Sequence, residues 1–284
     1  MTEALSFNRK LPIAAVALSL LVGGSFAAQA KEWTSIKIAT EGNYEPWNLT
    51  LPGGKVWGFE PELMANLCKR IKIKCELTTQ NWDGMIAGLN AGKYDVIMDS
   101  IVITPERKKV INFSIPYAAT PASFITKKTD LLSKAQDNVI KIPAGSSKID
   151  AVVAPLQKAL EGKIIGIQSG SVYTDFIDKY FAKSTVREYS SAAAAILDLR
   201  SGRIDAVFDD VTFSNAFLSK PANKSIHFAG PKIGGSIWGA GEALGFRKSD
   251  TDLTAKFDAA IKAALKDGTV KKLSLKWFHT DVTP

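Results

Sequence analysis

The stretch LNAGKYDVIMDS, residues 89–100, recurs as LRSGRIDAVFDD at residues 199–210. In both copies a leucine, a glycine and a basic residue lead into an apolar strand-like run that ends at an acidic residue. A weaker repeat pairs IATEGNY, residues 38–44, with IQSGSVY, residues 167–173. Any α/β protein repeats helix–glycine–strand units, but both pairs occur here in the same order. This order predicts two similar lobes.

Apolar strand-like runs alternate with helical patterns around the first repeat. Apolar residues at i, i+4 and i+8 indicate the first helix, and Gly92 is a plausible end signal for the second. Thr104 followed by Pro105 is a start signal for a third. The alternation is typical of a parallel α/β sheet, with strands and helices predicted in turn at residues 36–40, 61–71, 74–79, 82–90 and 94–100.

Four loops are expected to carry the functional residues. Ligands of open α/β sheets bind beyond the carboxyl ends of the strands, and clefts between lobes are preferred ligand sites. The loops that follow predicted strand ends are residues 41–44, 99–107, 169–173 and 209–210. Two lobes that each present such loops would form one cleft.

Residues 1–30 have the features of a secretory signal peptide. Arg9 and Lys10 precede an apolar run, and Ala28-Gln29-Ala30 is an A-x-A cleavage site. A retained membrane anchor is the alternative, but the apolar stretch is short for a span. We therefore expect a periplasmic protein whose mature chain begins near Lys31.

The cysteines and the charged residues narrow the range of possible partners and cofactors. Cys68 and Cys75 are the only cysteines, and such a pair in an exported protein predicts a disulfide. Neither His227 nor His279 lies near a cysteine, so no metal or other cofactor is expected. The net charge of +8 comes from scattered basic residues. Solvated surface charge explains this pattern better than binding to nucleic acid or a membrane surface.

An ordered series of motifs covers nearly the whole mature chain, from about residue 36 to residue 278. Together these motifs resemble the family 3 extracellular solute-binding proteins, the polar amino-acid receptors of ABC importers. The series is GFE at 58–60, WDGMI at 82–86, TPER at 104–107, FSIPY at 113–117, GRIDA at 202–206, DGT at 267–269 and WF at 277–278.

Within this family, TEG at 40–42, Tyr44, LCKR at 67–70 and the close-set cysteines make the chain similar to particular receptors. These bind lysine, arginine and ornithine, or histidine, and the similarity to the octopine and nopaline receptors is greater still. The resemblance implies a substrate-binding component of an ABC importer. It would capture a basic amino acid or an arginine-derived opine by lobe closure and, as a monomer, deliver it to an inner-membrane permease.

The resemblance also implies an α/β fold of the type II periplasmic binding protein class. Two Rossmann-like lobes would be joined by two hinge strands, near residues 120–124 and 226–232. Lobe 1 is then discontinuous. The implied divisions are a signal peptide at 1–30, lobe 1 at 31–121 and 228–284, and lobe 2 at 122–227.

The family places its ligand contacts at positions that this sequence fills. Arg107 falls at the clamp for the α-carboxylate, where a guanidinium offers two parallel N–H donors. Asp210 falls at the acceptor for the α-ammonium, and it can also cap a following helix. Tyr44 and Trp82 match the aromatic walls around the ligand side chain. Glu41 matches the acid that meets a distal cation.

Five further positions complete the predicted site: Asp99, Ser100, Gln168, Gly170 and Ser171. Asp99 stands where receptors for basic amino acids have a small hydroxyl residue. Val102 and Val172 stand where the family has Ser or Thr bonded to the carboxylate. A bulkier head group, such as the dicarboxylate head of an opine, would explain these departures, and a structural exchange without a change of specificity is the alternative.

A dehydratase-like enzyme on the same fold is the main alternative function, because cyclohexadienyl dehydratases resemble this family and act on a dicarboxylate. Both cysteines are expected to be oxidised and the histidines lie outside the loops, so no Cys-His or Ser-His-Asp set is expected. A sensor domain, which would need a following membrane span, is a second alternative. The expected function is binding without catalysis, since an anionic substrate is disfavoured by four acids in the cleft loops: Glu41, Asp99, Asp209 and Asp210.

Overall fold

The computed structural model describes Met1 and residues 32–133 and 136–284. The predicted signal peptide, apart from Met1, lies outside the described residues. Within this described part, every helix is too short or too polar to cross a membrane.

The described residues form short strands and helices that alternate along much of the chain. The strands are β1 (Ser35–Thr40), β2 (Asn43–Tyr44), β3 (Asn48–Thr50), β4 (Val56–Trp57), β5 (Lys74–Thr79), β6 (Val96–Ile97), β7 (Asn112–Phe113), β8 (Ala122–Thr126), β9 (Val139–Lys141), β10 (Ile164–Gln168), β11 (Thr185–Tyr189), β12 (Ala206–Asp210), β13 (His227–Gly234) and β14 (Gly245–Phe246). The α-helices are α1 (Phe59–Ile71), α2 (Met85–Asn90), α3 (Pro105–Val110), α4 (Lys148–Leu160), α5 (Val172–Tyr180), α6 (Ala192–Ser201), α7 (Val211–Leu218), α8 (Thr251–Lys266) and α9 (Thr269–Phe278).

Two sheets repeat one topology. The first has the strand order β5-β1-β6-β14-β7 and the second has the order β11-β10-β12-β8-β13-β9. β1 is parallel to β5 and β6, just as β10 is parallel to β11 and β12. The sequence repeats occupy equivalent places, because the strong pair contains β6 and β12 and the weak pair contains β1 and β10. The prediction of two similar α/β lobes is confirmed.

We call the first sheet with its helices lobe 1 and the second sheet with its helices lobe 2. The chain crosses between them twice, from β7 to β8 and back from β13 to β14. β8 and β13 lie side by side and antiparallel within the second sheet, with Phe124 opposite Ala229. A three-stranded sheet of β2, β3 and β4 also follows β1 in the chain.

Lobe 1 is held together by α1, which packs against α8 and α9. Leu63, Met64 and Leu67 are buried on α1, as the apolar spacing predicts. The helix begins two residues earlier than predicted, directly after Gly58. A side chain at Gly58 would place its Cβ 2.4 Å from the carbonyl oxygen of Trp47, so this close approach needs glycine.

The predicted disulfide and the strand predicted at residues 94–100 have different outcomes. The predicted disulfide between Cys68 and Cys75 is present and joins α1 to β5. The predicted strand over residues 94–100 is wrong in length, because only Val96–Ile97 is a strand. The chain leaves the ladder after Ile97, and Ser100 adopts a left-handed conformation with φ of 47°.

Candidate functional site

The loops at the carboxyl ends of strands in the two sheets line a narrow cavity of about 50 Å³ between the lobes. Eight of the ten predicted site residues line it, and Gly170 and Asp210 lie outside this lining. The full lining consists of Glu41, Tyr44, Trp82, Asp99, Ser100, Val102, Arg107, Gln168, Ser171, Val172, Tyr173, Asp209 and Glu242.

Direct hydrogen bonds join the lobes across this cavity. The Gln168 amide donates to Glu41 Oε2 at 3.1 Å, and the Tyr44 hydroxyl donates to Asp209 Oδ1 at 2.7 Å. Arg107 Nη2 donates to the carbonyl oxygen of Gly170 at 3.1 Å. Each bond pairs a lobe 1 residue with a lobe 2 residue, so the structure represents a closed arrangement of the two lobes.

Arg107 is positioned from the start of α3. The Thr104 side chain accepts from the Arg107 backbone N–H at 3.2 Å, which is the predicted N-cap. The guanidinium donates to the carbonyl oxygens of Val102 and Gly170 and lies 5.1 Å from the centre of the Trp82 ring. Burial lowers the pKa of Arg107 to about 10, so the side chain remains a cation at neutral pH. The hydrogen-bond acceptors that the described residues give this half-buried guanidinium are neutral carbonyls, and Asp175 interacts with it electrostatically. Such a guanidinium is suited to bind an anion.

Glu41 and Asp99 form an acidic end of the cavity. Asp99 Oδ1 accepts from the Glu41 backbone N–H at 2.7 Å and from the Thr40 hydroxyl at 3.1 Å. Asp99 Oδ2 is buried without a hydrogen-bond partner among the described residues. Burial raises the pKa of Glu41 to about 7 and raises the pKa of Asp99 well above its usual range. Because burial disfavours the charged carboxylates, a bound cation would stabilise them.

A buried polar network supports this acidic end. Asn48 donates to Asp99 Oδ1 at 3.0 Å and to Glu60 Oε2 at 2.8 Å. Glu60 Oε1 accepts from the Ser100 backbone N–H at 2.6 Å and from the Tyr117 hydroxyl at 2.5 Å. The Glu60 bond helps hold Ser100 in its left-handed conformation, which a non-glycine residue adopts only at a cost.

The two predicted aromatic walls have different partners. The Tyr44 ring stacks on Phe213 of lobe 2, with centroids 4.4 Å apart and planes 9° from parallel. The Trp82 ring faces the Arg107 guanidinium. The structure brings both rings to the cavity, with each already in contact with another side chain.

A second acidic group lies where the chain crosses between the lobes. Asp210 caps α7 as predicted, because its Oδ1 accepts from the Phe213 backbone N–H at 2.9 Å. Glu242 Oε1 accepts from the Thr120 hydroxyl at 2.7 Å. Burial raises the pKa of Asp209 to about 7 and that of Glu242 to about 8. Three acids therefore stand together at this end.

Glu242 was absent from the predicted site because the sequence repeats do not reach its segment. Gly239 and Gly241, which precede this position, are the sequence signal that could have identified the segment. A Cβ at Gly241 would lie 2.6 Å from the carbonyl oxygen of Ala118, and one at Gly239 would lie 2.2 Å from that of Ile103. Such close approaches indicate that the returning chain passes tightly against the cleft loops.

Comparison with known proteins places this geometry in a family. The sequence profile of the bacterial extracellular solute-binding proteins, family 3, matches residues 36–280. An octopine-binding periplasmic protein of Rhizobium meliloti is 38% identical over 285 residues, covering 93% of this chain and 96% of the relative. An L-arginine-binding protein of Pseudomonas aeruginosa is 32% identical over 274 residues, covering 95% and 96%.

A solved structure gives the same result. A periplasmic His/Glu/Gln/Arg/opine family-binding protein from Silicibacter pomeroyi, in complex with lysine, aligns with a TM-score of 0.72 at 28% identity. The alignment covers 88% of this chain and 99% of that one. The chain belongs to the bacterial extracellular solute-binding proteins, family 3.

Proposed function

We propose that this protein is the periplasmic substrate-binding component of an ABC importer. Its ligand carries a carboxylate, an α-nitrogen and a distal cation, as basic amino acids and arginine-derived opines do. The observation that carries the proposal is one cavity between the lobes, lined by Arg107, Glu41 and Asp99. An anionic group and a cationic group of one ligand would each find an opposite charge there.

The relatives support this ligand class. Their names record binding of octopine and of L-arginine, and the Silicibacter pomeroyi protein was solved with lysine. All three ligands combine a carboxylate with nitrogen cations. The chain would act as a monomer and pass its ligand to an inner-membrane permease.

Each predicted residue takes a defined role in this proposal. Arg107 binds the carboxylate by two parallel N–H donors, and Asp210 accepts from the α-nitrogen. Glu41 meets the distal cation between the rings of Tyr44 and Trp82. Ser100, Gln168, Gly170 and Ser171 supply polar contacts, and Asp99 reinforces Glu41.

Closure is part of the proposed mechanism. The proposed lobe bounds are residues 31–121 and 228–284 for lobe 1 and residues 122–227 for lobe 2, with hinges near residues 120–124 and 226–232. The strand β13 (His227–Gly234) pairs within the second sheet, so by sheet membership the return crossing follows Gly234. Ligand contacts from both lobes would stabilise the closed arrangement over the open one. In it, the ligand would replace the direct bonds that Arg107 and Glu41 make across the cavity.

Calorimetric titration tests the proposal. Lysine, arginine, ornithine, histidine, octopine and nopaline form the panel, with glutamate and leucine as controls. We expect at least one panel ligand to bind with micromolar or tighter affinity, about −8 kcal/mol, and the controls to bind far more weakly. Failure of all six panel ligands to bind would contradict the proposal.

The role of Glu41 is tested with a ligand pair. Arginine and citrulline differ in the distal cation but have nearly the same shape, and Glu41→Gln removes the charge while keeping an acceptor. We expect the variant to lose about 1.5–3 kcal/mol for arginine and little for citrulline. An equal loss for both ligands would show that Glu41 is not the selector and would make Asp99 the next candidate.

We further propose that the protein binds without catalysing a reaction. Neither His227 nor His279 is among the residues that line the described cavity, and its acids disfavour an anionic substrate. Incubation with prephenate-like substrates is expected to return them unchanged. Product formation above the uncatalysed rate would favour the dehydratase-like alternative.

A further inference from the structure

We propose that Glu242 is a specificity-determining residue that binds the ligand α-nitrogen together with Asp210. This inference rests on the proposed function. It adds a contact supplied by the segment that returns from lobe 2 to lobe 1, whereas the other proposed contacts come from the strand-end loops.

The backbone of Glu242 is fixed on both sides. Its N–H donates to the carbonyl oxygen of Ala118 at 2.9 Å, and its carbonyl oxygen accepts from the Tyr117 N–H at 2.9 Å. Glu242 also forms isolated bridges with Val102 and Ala118. The two crossing segments are thus joined at this residue, and its side chain extends from a fixed point.

The side chain has one engaged oxygen and one free oxygen. Oε1 accepts from the Thr120 hydroxyl at 2.7 Å, whereas Oε2 is buried without a hydrogen-bond partner among the described residues. Glu242 is only 4% exposed and yet lines the cavity. A buried carboxylate oxygen left unpaired is costly, so a donor from a ligand in the cavity would stabilise it.

Asp210 has the same arrangement. Its Oδ1 accepts from the Phe213 N–H and from the Thr212 hydroxyl, and its Oδ2 is buried and unpartnered within the described part of the chain. Asp210 is 2% exposed, and its charge is one cause of the raised pKa of Glu242. The two carboxyls are therefore close enough to interact, and one oxygen of each has no hydrogen-bond donor among the described residues.

The chemistry of this pair fits a nitrogen cation. A primary ammonium has three N–H donors and a secondary ammonium has two, so either can donate to both free oxygens. Charge-assisted bonds of this kind are stronger than neutral ones. A structural partner for Thr120 would need only one neutral acceptor, which a glutamine would supply equally well. A cationic group on the ligand explains why this position carries a carboxylate rather than an amide.

The test uses arginine and 5-guanidinopentanoate, which is arginine without its α-nitrogen. The wild-type protein is expected to prefer arginine by about 100-fold. In Glu242→Gln this preference should fall by about tenfold or more, while the affinity for 5-guanidinopentanoate changes little. Asp83→Asn is the matched control, because exposed Asp83 interacts electrostatically with Glu41 but lies outside the cavity lining. It should leave the preference unchanged.

Thermal unfolding accompanies each titration. If Glu242→Gln does not fold, Glu242→Asp provides the test, because it keeps the charge but shortens the side chain by one methylene group. The preference of this variant for arginine over 5-guanidinopentanoate should also fall. An unchanged preference, or an equal loss for both ligands, in the variant that folds would overturn the role of Glu242. Absence of binding by the wild-type protein to any basic ligand would instead overturn the proposed function.

Discussion

The two walls of the cleft differ in how they present charge. Lobe 1 supplies Arg107, Glu41 and Asp99, and bonds within that lobe position Arg107 and Asp99. Among the lining residues of lobe 2, Asp209 is the charged one, and the others are neutral: Gln168, Ser171, Val172 and Tyr173. The difference suggests that lobe 1 supplies most of the charged contacts to the ligand, whereas lobe 2, apart from the proposed contact of Asp210, closes over it with mostly neutral groups.

The strong sequence repeat illustrates this division. Asp99 and Asp209 occupy the same place in the two copies. Asp99 Oδ1 accepts from Thr40, Glu41 and Asn48, all in its own lobe. Asp209 Oδ1 instead accepts from Tyr44 across the cleft and from the next backbone N–H. The aspartate of the first copy therefore helps to form the site within lobe 1, whereas the aspartate of the second copy helps to hold the two lobes together.

The largest expected effect comes from Arg107→Ala in the charged wall. The ligand carboxylate would be left buried and unpaired, which typically costs about 2–5 kcal/mol of binding energy. Ser171→Ala in the opposite wall is the matched comparison and should cost less than about 1 kcal/mol. Calorimetry at constant pH measures both. Equal losses would refute the division between the walls.

The buried acids predict an unusual pH dependence for the ligand-free protein. Their pKa values are raised to about 7 for Glu41 and Asp209 and to about 8 for Glu242. Above about pH 5 the unfolded chain has already lost these protons, whereas the folded protein keeps them until the pH reaches 7–8. The free energy of unfolding should therefore fall from about pH 5 to about pH 8, by on the order of a few kcal/mol, and level off at higher pH.

Urea unfolding at several pH values measures this fall, and variants separate the contributions. Glu41→Gln should remove the contribution of Glu41 and make the fall between pH 5 and pH 7 less steep. Glu62 lies on the surface and pairs with Lys276. In the control variant Glu62→Gln, the free energy of unfolding should fall between pH 5 and pH 8 as it does in the wild-type protein. A ligand-free stability that rises from pH 5 to pH 8 would contradict the prediction.

Tyr117→Phe tests the bonds within lobe 1. It removes the hydroxyl that donates to buried Glu60 and leaves Glu60 Oε1 with one donor fewer. We expect the free energy of unfolding to fall by about 2 kcal/mol. X-ray scattering should give the same ligand-free radius of gyration as the wild-type protein. A larger radius would mean that Tyr117 also controls closure.

Tyr44→Phe is the matched change across the cleft and has the smallest expected effect. It removes the hydroxyl that donates to Asp209, so the closed arrangement should weaken by about 1 kcal/mol while each lobe keeps its own bonds. The ligand-free radius of gyration should increase, and saturating ligand should restore it. Unchanged scattering in both states would show that this bond does not hold the lobes together.

The sequence predicted the parts of the site that follow strand ends. The loop that begins at Glu41 was found because an apolar run and the following Gly42 identify the end of β1, whereas Gln168 was assigned through the family resemblance. The conformation of Ser100 was not predictable, because Glu60 stabilises it from 40 residues away. Glu242 was missed for a related reason. Its position depends on the pairing of two crossing segments, and no local periodicity reports contacts so distant in the chain.

The double crossing of the chain has a consequence for the order in which the lobes form. β14 lies between β6 and β7 in the first sheet, although it follows all of the second sheet in the chain. During synthesis from the N-terminus, lobe 2 has all of its strands once Gly234 has emerged. Lobe 1 still lacks β14 and the helices α8 and α9 that cover α1. The wall that carries Arg107 is therefore completed last, and a partly synthesised chain cannot yet capture its ligand.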